Sequence, residues 1–262
     1  MNLTITSTSN PKIKWVKSLQ NNSTRKSEGV FVVEGSKEAG YAVDNEFQLH
    51  SIFVCPEIYG EITPFGDDIE VYSINKDCFE KIAYRGSSDG VIAIFHNKER
   101  RLDNVTMGEI PFFLVVESVE KPGNLGAIIR TADGAGADGV IICDERADIY
   151  NPNVIRSSVG TLFASQVISA STTDVMDFLQ KHEITPYGAV LSDSSINYTV
   201  ADLTKPTALI LGGEHDGLSQ EWRDNVQPIQ IPMLGTNDSL NVSNAAAILA
   251  YEVVRQRGSR SE

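Results

Sequence analysis

The chain has 262 residues, 41% of them hydrophobic and 22% charged, and a formal net charge of −13. That length carries one large domain or two small ones and buries enough surface to stand without staples. Collagen-like, disordered and disulfide-scaffold classes are therefore excluded. The longest apolar run, Ile110–Val116, is far short of the ~20 residues of a membrane-spanning helix. Met1–Lys17 has no apolar segment of the kind a secretory signal carries. Cys55, Cys78 and Cys143 are odd in number and show no metal-ligand rhythm, which points to buried thiols in a cytoplasmic protein. Charge is uneven: residues 1–105 carry 12 basic and 15 acidic side chains, the remainder 10 and 20. Up to Ser27 the chain holds Lys12, Lys14, Lys17, Arg25 and Lys26 and no acid. Any phosphate contact is expected in this N-terminal part.

In chain order, Asn10-Pro11 marks a helix start, with Ile13, Val16 and Leu19 on its inner side. Gly29–Glu34 reads as a buried strand and Ser36–Asp44 as a helix. Ser51–Val54, Ile69–Ser73 and Gly90–Phe95 read as strands, and Asn75 caps a helix running to Ile82. This alternation makes residues 1–96 a small α/β domain, followed by a charged linker over 97–110. Residues 111–262 form the second domain. Its strands are expected at Phe112–Glu117, Val140–Cys143, Leu162–Ile168, Gly188–Leu191, Ala208–Leu211 and Pro228–Pro232. Its helices are expected at Leu125–Gly134, Asn153–Val159, Thr173–His182, Ser219–Asn225 and Val242–Gln256. Such alternation predicts a mainly parallel sheet covered on both faces, with ligands beyond the carboxyl ends of its strands.

Three post-strand loops are rich in glycine and small polar residues, which let backbone approach a ligand. They run from Lys121 to Thr131, from Gly212 to Ser219 and from Met233 to Ser243. Gly134–Gly139 matches a G-x-G-x-x-G pattern, but it closes a helix and enters a strand, the reverse of a dinucleotide site. The four histidines, His50, His96, His182 and His215, lack metal spacing, so no metal is expected. There is no P-loop and no G-x-S-x-G elbow.

The loops occur in a telling order: N-x-G-x-x-x-R-T (Asn124–Thr131), L-G-G-E-x-x-G-L-S (Leu211–Ser219 with Glu214), then I-P-M…S-L-N-V-S (Ile231–Ser243) before a C-terminal helix. This combination resembles the SpoU-type RNA 2′-O-ribose methyltransferases of the SPOUT class. The resemblance covers about residues 111–257 and extends more weakly over 9–95, where S-N-P-x-I-K and F-V-V-E-G look like the family's substrate-binding domain. Gly213 stands where many relatives carry a polar residue, and Asn244 beside Ser243 is a second small departure.

The resemblance implies a deep trefoil knot in the C-terminal part, a homodimer, and S-adenosylmethionine bound against Gly212, Ile231 and Leu240. It places Arg130, Asn124, Glu214, Ser239 and Asn241 around the reacting centre. A guanidinium is a poor general base, so Arg130 is expected to orient a substrate phosphate or stabilise the developing alkoxide. Ser239 and Asn241 also fit plain N-caps of the last helix. The N-terminal domain then reads structured RNA, ribosomal or transfer, with Lys12, Lys14, Lys17, Arg25, Lys26 and Arg85 as phosphate contacts. Two alternatives stay open: a noncatalytic RNA-binding or ribosome-assembly factor on the same scaffold, and a SPOUT enzyme methylating a base nitrogen.

Overall fold

The structure is a computed structural model that describes residues 3–60, 69–84, 89–143, 147–213 and 216–258. The chain forms two compact units, Met1–Glu99 with Asp148–Ala164, and Arg100–Ala147 with Ser165–Glu262.

The first unit is built on a five-stranded sheet of order β1-β4-β3-β5-β2. Its strands are β1 (Leu3–Ile5), β2 (Val30–Glu34), β3 (Leu49–Val54), β4 (Glu70–Ile74) and β5 (Val91–His96). β4 runs parallel to β1 and β3, while β5 is antiparallel to β3 and β2. Helix α1 (Pro11–Ser18) begins as the sequence implies: the Asn10 side chain accepts from the Lys12 backbone N–H, and Pro11 opens the first turn. Ile13, Val16 and Leu19 are fully buried on the sheet. Helix α2 (Asn22–Glu28) has no apolar face and escapes periodicity; its buried side chain is Arg25. α3 (Ser36–Asp44), α4 (Pro56–Tyr59) and α5 (Lys76–Ile82) complete the N-terminal part, with Asn75 capping α5 through the Cys78 N–H.

The segment 148–164 packs in this unit although it lies in the middle of the second sequence region. It holds α7 (Pro152–Ser157) and α8 (Thr161–Ala164). A strand is expected over Leu162–Ile168, and α8 replaces its first half. The reason is tertiary. Phe163 is buried against Phe31 and Phe47, ring centroids 5.9 and 5.1 Å away, and Tyr150 stacks on Phe31 at 4.2 Å. The turn between the helices needs Gly160: its φ is 81°, and a Cβ there would sit 2.6 Å from the Tyr41 ring.

The second unit is a seven-stranded sheet of order β10-β12-β9-β11-β6-β7-β8. Its strands are β6 (Phe112–Glu117), β7 (Gly139–Cys143), β8 (Val167–Ala170), β9 (Thr185–Ala189), β10 (Ile196–Asn197), β11 (Thr207–Leu211) and β12 (Gln227–Gln230). Every pairing in it is parallel. The central β6 and β11 are buried along their whole length, which explains their continuous apolar runs. Helices α6 (Pro122–Gly134), α9 (Thr172–Lys181), α10 (Gln220–Asn225) and α11 (Val242–Gly258) connect or follow the strands. Gly134 does close α6, and Gly136, at φ 66°, turns the chain toward β7.

Two strands start two or more residues earlier than the sequence implies: β3 opens at Leu49 rather than Ser51, and β9 is the second. β9 opens at Thr185 rather than Gly188, across Pro186, a residue that argues against a central strand. Pro186 pairs with β11 alone, because β12 joins β9 only from Tyr187 onward. The strand therefore ends at Ala189, leaving Val190 and Leu191 to the loop. The three cysteines are buried free thiols. Among the described residues, no helix is long and apolar enough to cross a membrane.

Candidate active site

The carboxyl ends of three neighbouring strands, β12, β9 and β11, with Lys121 from the loop after β6, open on one cavity of about 590 Å³ in the second unit. This is the usual size of a small-molecule or cofactor site. Its walls mix apolar side chains (Leu211, Leu218, Ile229, Ile231, Leu240, Leu249) with backbone of the glycine-rich loop. That loop folds back tightly: Gly217 N–H donates to Gly213 O at 3.2 Å. A Cβ on Gly212 would lie 2.1 Å from the Gly217 carbonyl carbon, and one on Gly213 would lie 2.9 Å from Ser118 O. Both positions are thus closed to side chains, which accounts for Gly213 in this chain. The far end of the loop is tied down by Glu117, 3% exposed, whose Oε2 accepts the Ser219 N–H at 2.7 Å. Ser219 in turn caps α10 through the Trp222 N–H.

Two asparagines tie the cavity wall to the first turn of α6. Asn241 Oδ1 accepts from the backbone N–H of Ser243 at 3.0 Å and from its hydroxyl at 2.6 Å, so it caps α11. Its Nδ2 donates to Asn124 Oδ1 at 3.3 Å, joining the first turns of α11 and α6. Ser239 is not a cap; its hydroxyl donates to Asp238 Oδ1 at 3.2 Å.

The structure thus gathers Gly212, Ile231, Leu240, Ser239 and Asn241 on one cavity, with Asn124 bonded to its wall. Arg130 is exposed on α6, outside that lining. Glu214 and Arg85 lie outside the described residues. The third Gly-rich loop and the first meet as their sequence order implies. A fourth loop, after β9, shares the cavity through its apolar residues Val190 and Leu191 rather than through the polar run Ser192–Ser195 that follows. Lys121, Asp216, Asp238 and Arg223 also line it; Lys121 is the α6 N-cap and opens the first of the three loops, although the sequence names no role for it.

In the first unit, Lys14, Lys17 and Lys26 are exposed. Lys12 Nζ lies 3.1 Å from Glu70 Oε2. Its ammonium is raised above the ordinary lysine value, chiefly by its bond to Tyr72, against desolvation. Arg25 leaves the set of phosphate contacts. It is 2% exposed, and its guanidinium is spent on Leu19 O, Gln20 O and the Asp148 carboxylate.

A parallel α/β sheet whose strand ends share a glycine-walled cavity is the fold of solved RNA methyltransferases. The SpoU methyltransferase AviRb of Streptomyces viridochromogenes, determined with S-adenosylmethionine, superposes with a TM-score of 0.86 at 28% identity, over 95% of this chain and 99% of that one. In sequence, a 23S rRNA (uridine(2479)-2′-O)-methyltransferase of the same organism is 30% identical over 93% of this chain and 89% of its own length. The Bacillus subtilis (strain 168) 23S rRNA (guanosine(2553)-2′-O)-methyltransferase RlmP is 30% identical over 95% and 98%. The SpoU rRNA Methylase family model matches residues 111–251, and that of the MRM3-like substrate binding domain matches residues 10–93. The chain belongs to the SpoU rRNA methylase family.

Proposed function

We propose that the protein transfers a methyl group from S-adenosylmethionine to a ribose 2′-hydroxyl of ribosomal RNA. The observation that carries this reading is the meeting of Gly212, Ile231 and Leu240 with the Asn124–Asn241 pair at one cavity. The residues suit the cofactor: backbone of Gly212, Gly213, Asp216 and Gly217 offers polar groups, and Leu211, Ile231 and Leu240 offer apolar contact for a flat base. When bound, it supplies an activated methyl on a good leaving group, so the protein contributes alignment rather than covalent chemistry.

Positioning of this kind is worth about 7–11 kcal/mol of a bimolecular barrier. Asn241, locked by the α11 cap and by Asn124, holds the ribose side of the cavity. Ser239 completes the polar rim. Lys121 supplies a cation at the mouth of the cavity, and Arg130 acts from the substrate side on a phosphate or on the developing alkoxide. A substrate phosphate or solvent accepts the proton, since neither cation is a base. The first unit presents RNA through Lys14, Lys17 and Lys26, with Lys12 beside them.

The same reading includes a cytoplasmic homodimer and the family's deep knot. α11 carries Ile248, Tyr251 and Val254, at 36%, 53% and 38% exposure, on successive turns of one face. An apolar stripe of this kind is what an isologous dimer buries. Sedimentation of wild type as a dimer and of Tyr251→Glu as a monomer tests that part. The activity is tested by mapping 2′-O-methylation across total RNA from cells with and without the protein. One ribosomal position losing its ribose methyl is the expected result; an unchanged map overturns the reading.

A further inference from the structure

One end of the α1 face of the five-stranded sheet departs from the apolar character of the rest. Lys12 and Trp15 of α1 meet His50 of β3, His96 of β5 and Tyr72 and Glu70 of β4 there. Trp15 and His50 have ring centroids 5.3 Å apart at 41°, and His50 and His96 are 5.3 Å apart at 59°. The rings are tilted, not stacked on one another, and all three are partly exposed. Lys12 Nζ lies 5.3 Å from the Tyr72 ring centre and 6.0 Å from that of Trp15, and is paired with Glu70.

His50 reaches this row through a backbone irregularity. The β3–β5 register slips between Leu49 and Ser51, so His50 is the extra residue of a bulge. Strict alternation would send His50 to the face opposite Ser51. Instead His50 Nδ1 lies 2.9 Å from Ser51 Oγ and its ring meets Trp15. Bulges re-aim side chains in this way beside binding sites. Burial, then the charges of His96 and Lys12, hold His50 below the ordinary imidazole value, so its ring is neutral near pH 7.

Three adjacent heteroaromatic rings beside a lysine are the means by which proteins stack unpaired bases and hold the neighbouring phosphate. The charge of the surroundings selects that occupant: the first 27 residues bring Lys12, Lys14, Lys17 and Lys26 and no acid, with Arg25 spent inside on Asp148, and the acids at the row are Glu28 and Glu70. We propose that Trp15, His50 and His96 form a stacking platform for an unpaired nucleobase of the RNA substrate, with Lys12 exchanging Glu70 for the adjoining phosphate. The proposal rests on the reading of this unit as the one that binds RNA.

The chain has two tryptophans, and Trp222 of the second unit is fully buried, so Trp15 is a built-in reporter. The full-length protein is titrated with a short single-stranded oligoadenylate while tryptophan emission and the anisotropy of a labelled oligomer are followed. Saturable quenching is expected in wild type and in Trp222→Phe, and none in Trp15→Phe. Affinity should fall about tenfold in His50→Gln and in His96→Ala, the size of one lost stacking contact, with unchanged thermal midpoints marking folded variants. Absence of quenching, quenching that survives Trp15→Phe, or histidine variants that bind as wild type would overturn the platform. Ribose methylation of ribosomal RNA is assayed in parallel. Wild-type methylation without quenching removes the platform alone; quenching without any methylation removes the enzymatic reading alone.

Discussion

Arg25 and Asp148 are 123 positions apart in sequence and form a buried ion pair, with Nε 2.9 Å from Oδ2 and side-chain exposures of 2% and 9%. Nη2 also donates to Oδ2 and Nη1 donates to the carbonyls of Leu19 and Gln20, so all three guanidinium nitrogens are engaged. The pair closes α2 onto the segment that enters the first unit from the middle of the chain. Removing one partner leaves a buried charge alone. Asp148→Ala should therefore destabilise the protein by about 3–5 kcal/mol, whereas Arg25→Met with Asp148→Leu should cost far less. Urea unfolding followed by circular dichroism measures both. A loss below about 1 kcal/mol in Asp148→Ala would mean that the pair is solvated in solution.

The Asn241–Asn124 bond predicts a separation of binding from turnover. Asn241→Ala loses the α11 cap, worth about 1 kcal/mol, and frees the ribose side of the cavity. Turnover should fall about a hundredfold, the scale of a small misplacement of reactants. Calorimetry with S-adenosylmethionine should show an affinity within a few-fold of wild type.

Glu117 acts through the loop it holds. Glu117→Ala leaves the Ser219 N–H without its acceptor, at a cost of about 1–3 kcal/mol. Gly212, Gly213, Gly217 and Leu218 form a wall of the cavity, so weaker cofactor binding, by about tenfold or more, is the expected result. Glu117→Gln keeps an acceptor oxygen and should restore most of it. Equal affinity in all three proteins would separate this carboxylate from the site.

Lys14, Lys17 and Lys26 are exposed and should act as independent phosphate contacts. Changing all three to Glu should weaken RNA binding steeply and lower the salt dependence by about two in log–log slope. Arg25→Gln should leave that slope unchanged. Filter binding across a salt series distinguishes the two.

The depressed value of His50 links stability to pH. Burial is the main cause, followed by His96 and Lys12, while Glu70 pulls the other way; Tyr72 and Glu28 are the other titratable groups around the row. The unfolded chain, with an imidazole near 6.5, binds the proton more readily than the folded one. The contribution of His50 is thus complete above about pH 6.5 and is lost as pH falls through the folded value. The thermal midpoint of wild type should drop between about pH 7.5 and pH 5.5, and by less in His50→Gln.

Much of the chain was legible because its signals are local. Asn10-Pro11, Asn75 and Ser219 each cap a helix where side-chain chemistry says one should start. The buried runs of β6 and β11 have no polar alternation, as a strand covered on both faces requires. Gly212 and Gly213 are glycine because backbone approaches backbone there, whereas a Cβ on Gly235 of the third loop would meet nothing. Where the reading failed, a distant partner decided. α2 has no apolar face and stands on Arg25; α8 replaces a strand because Phe163 is drawn into the Phe31–Phe47 cluster; β9 crosses Pro186 because its neighbour starts one residue later.

The amino-acid order alone determined the alternating α/β plan, the family resemblance and the loops that surround the cavity, since caps, periodicity and glycine requirements act over a few residues. Tertiary structure alone decided that Arg25 is buried rather than offered to phosphate, that Val190 and Leu191 share the cavity, and that His50 turns toward Trp15. Those outcomes depend on groups up to 123 positions away, and no local pattern carries the free energy of a contact whose other half lies that far along the chain.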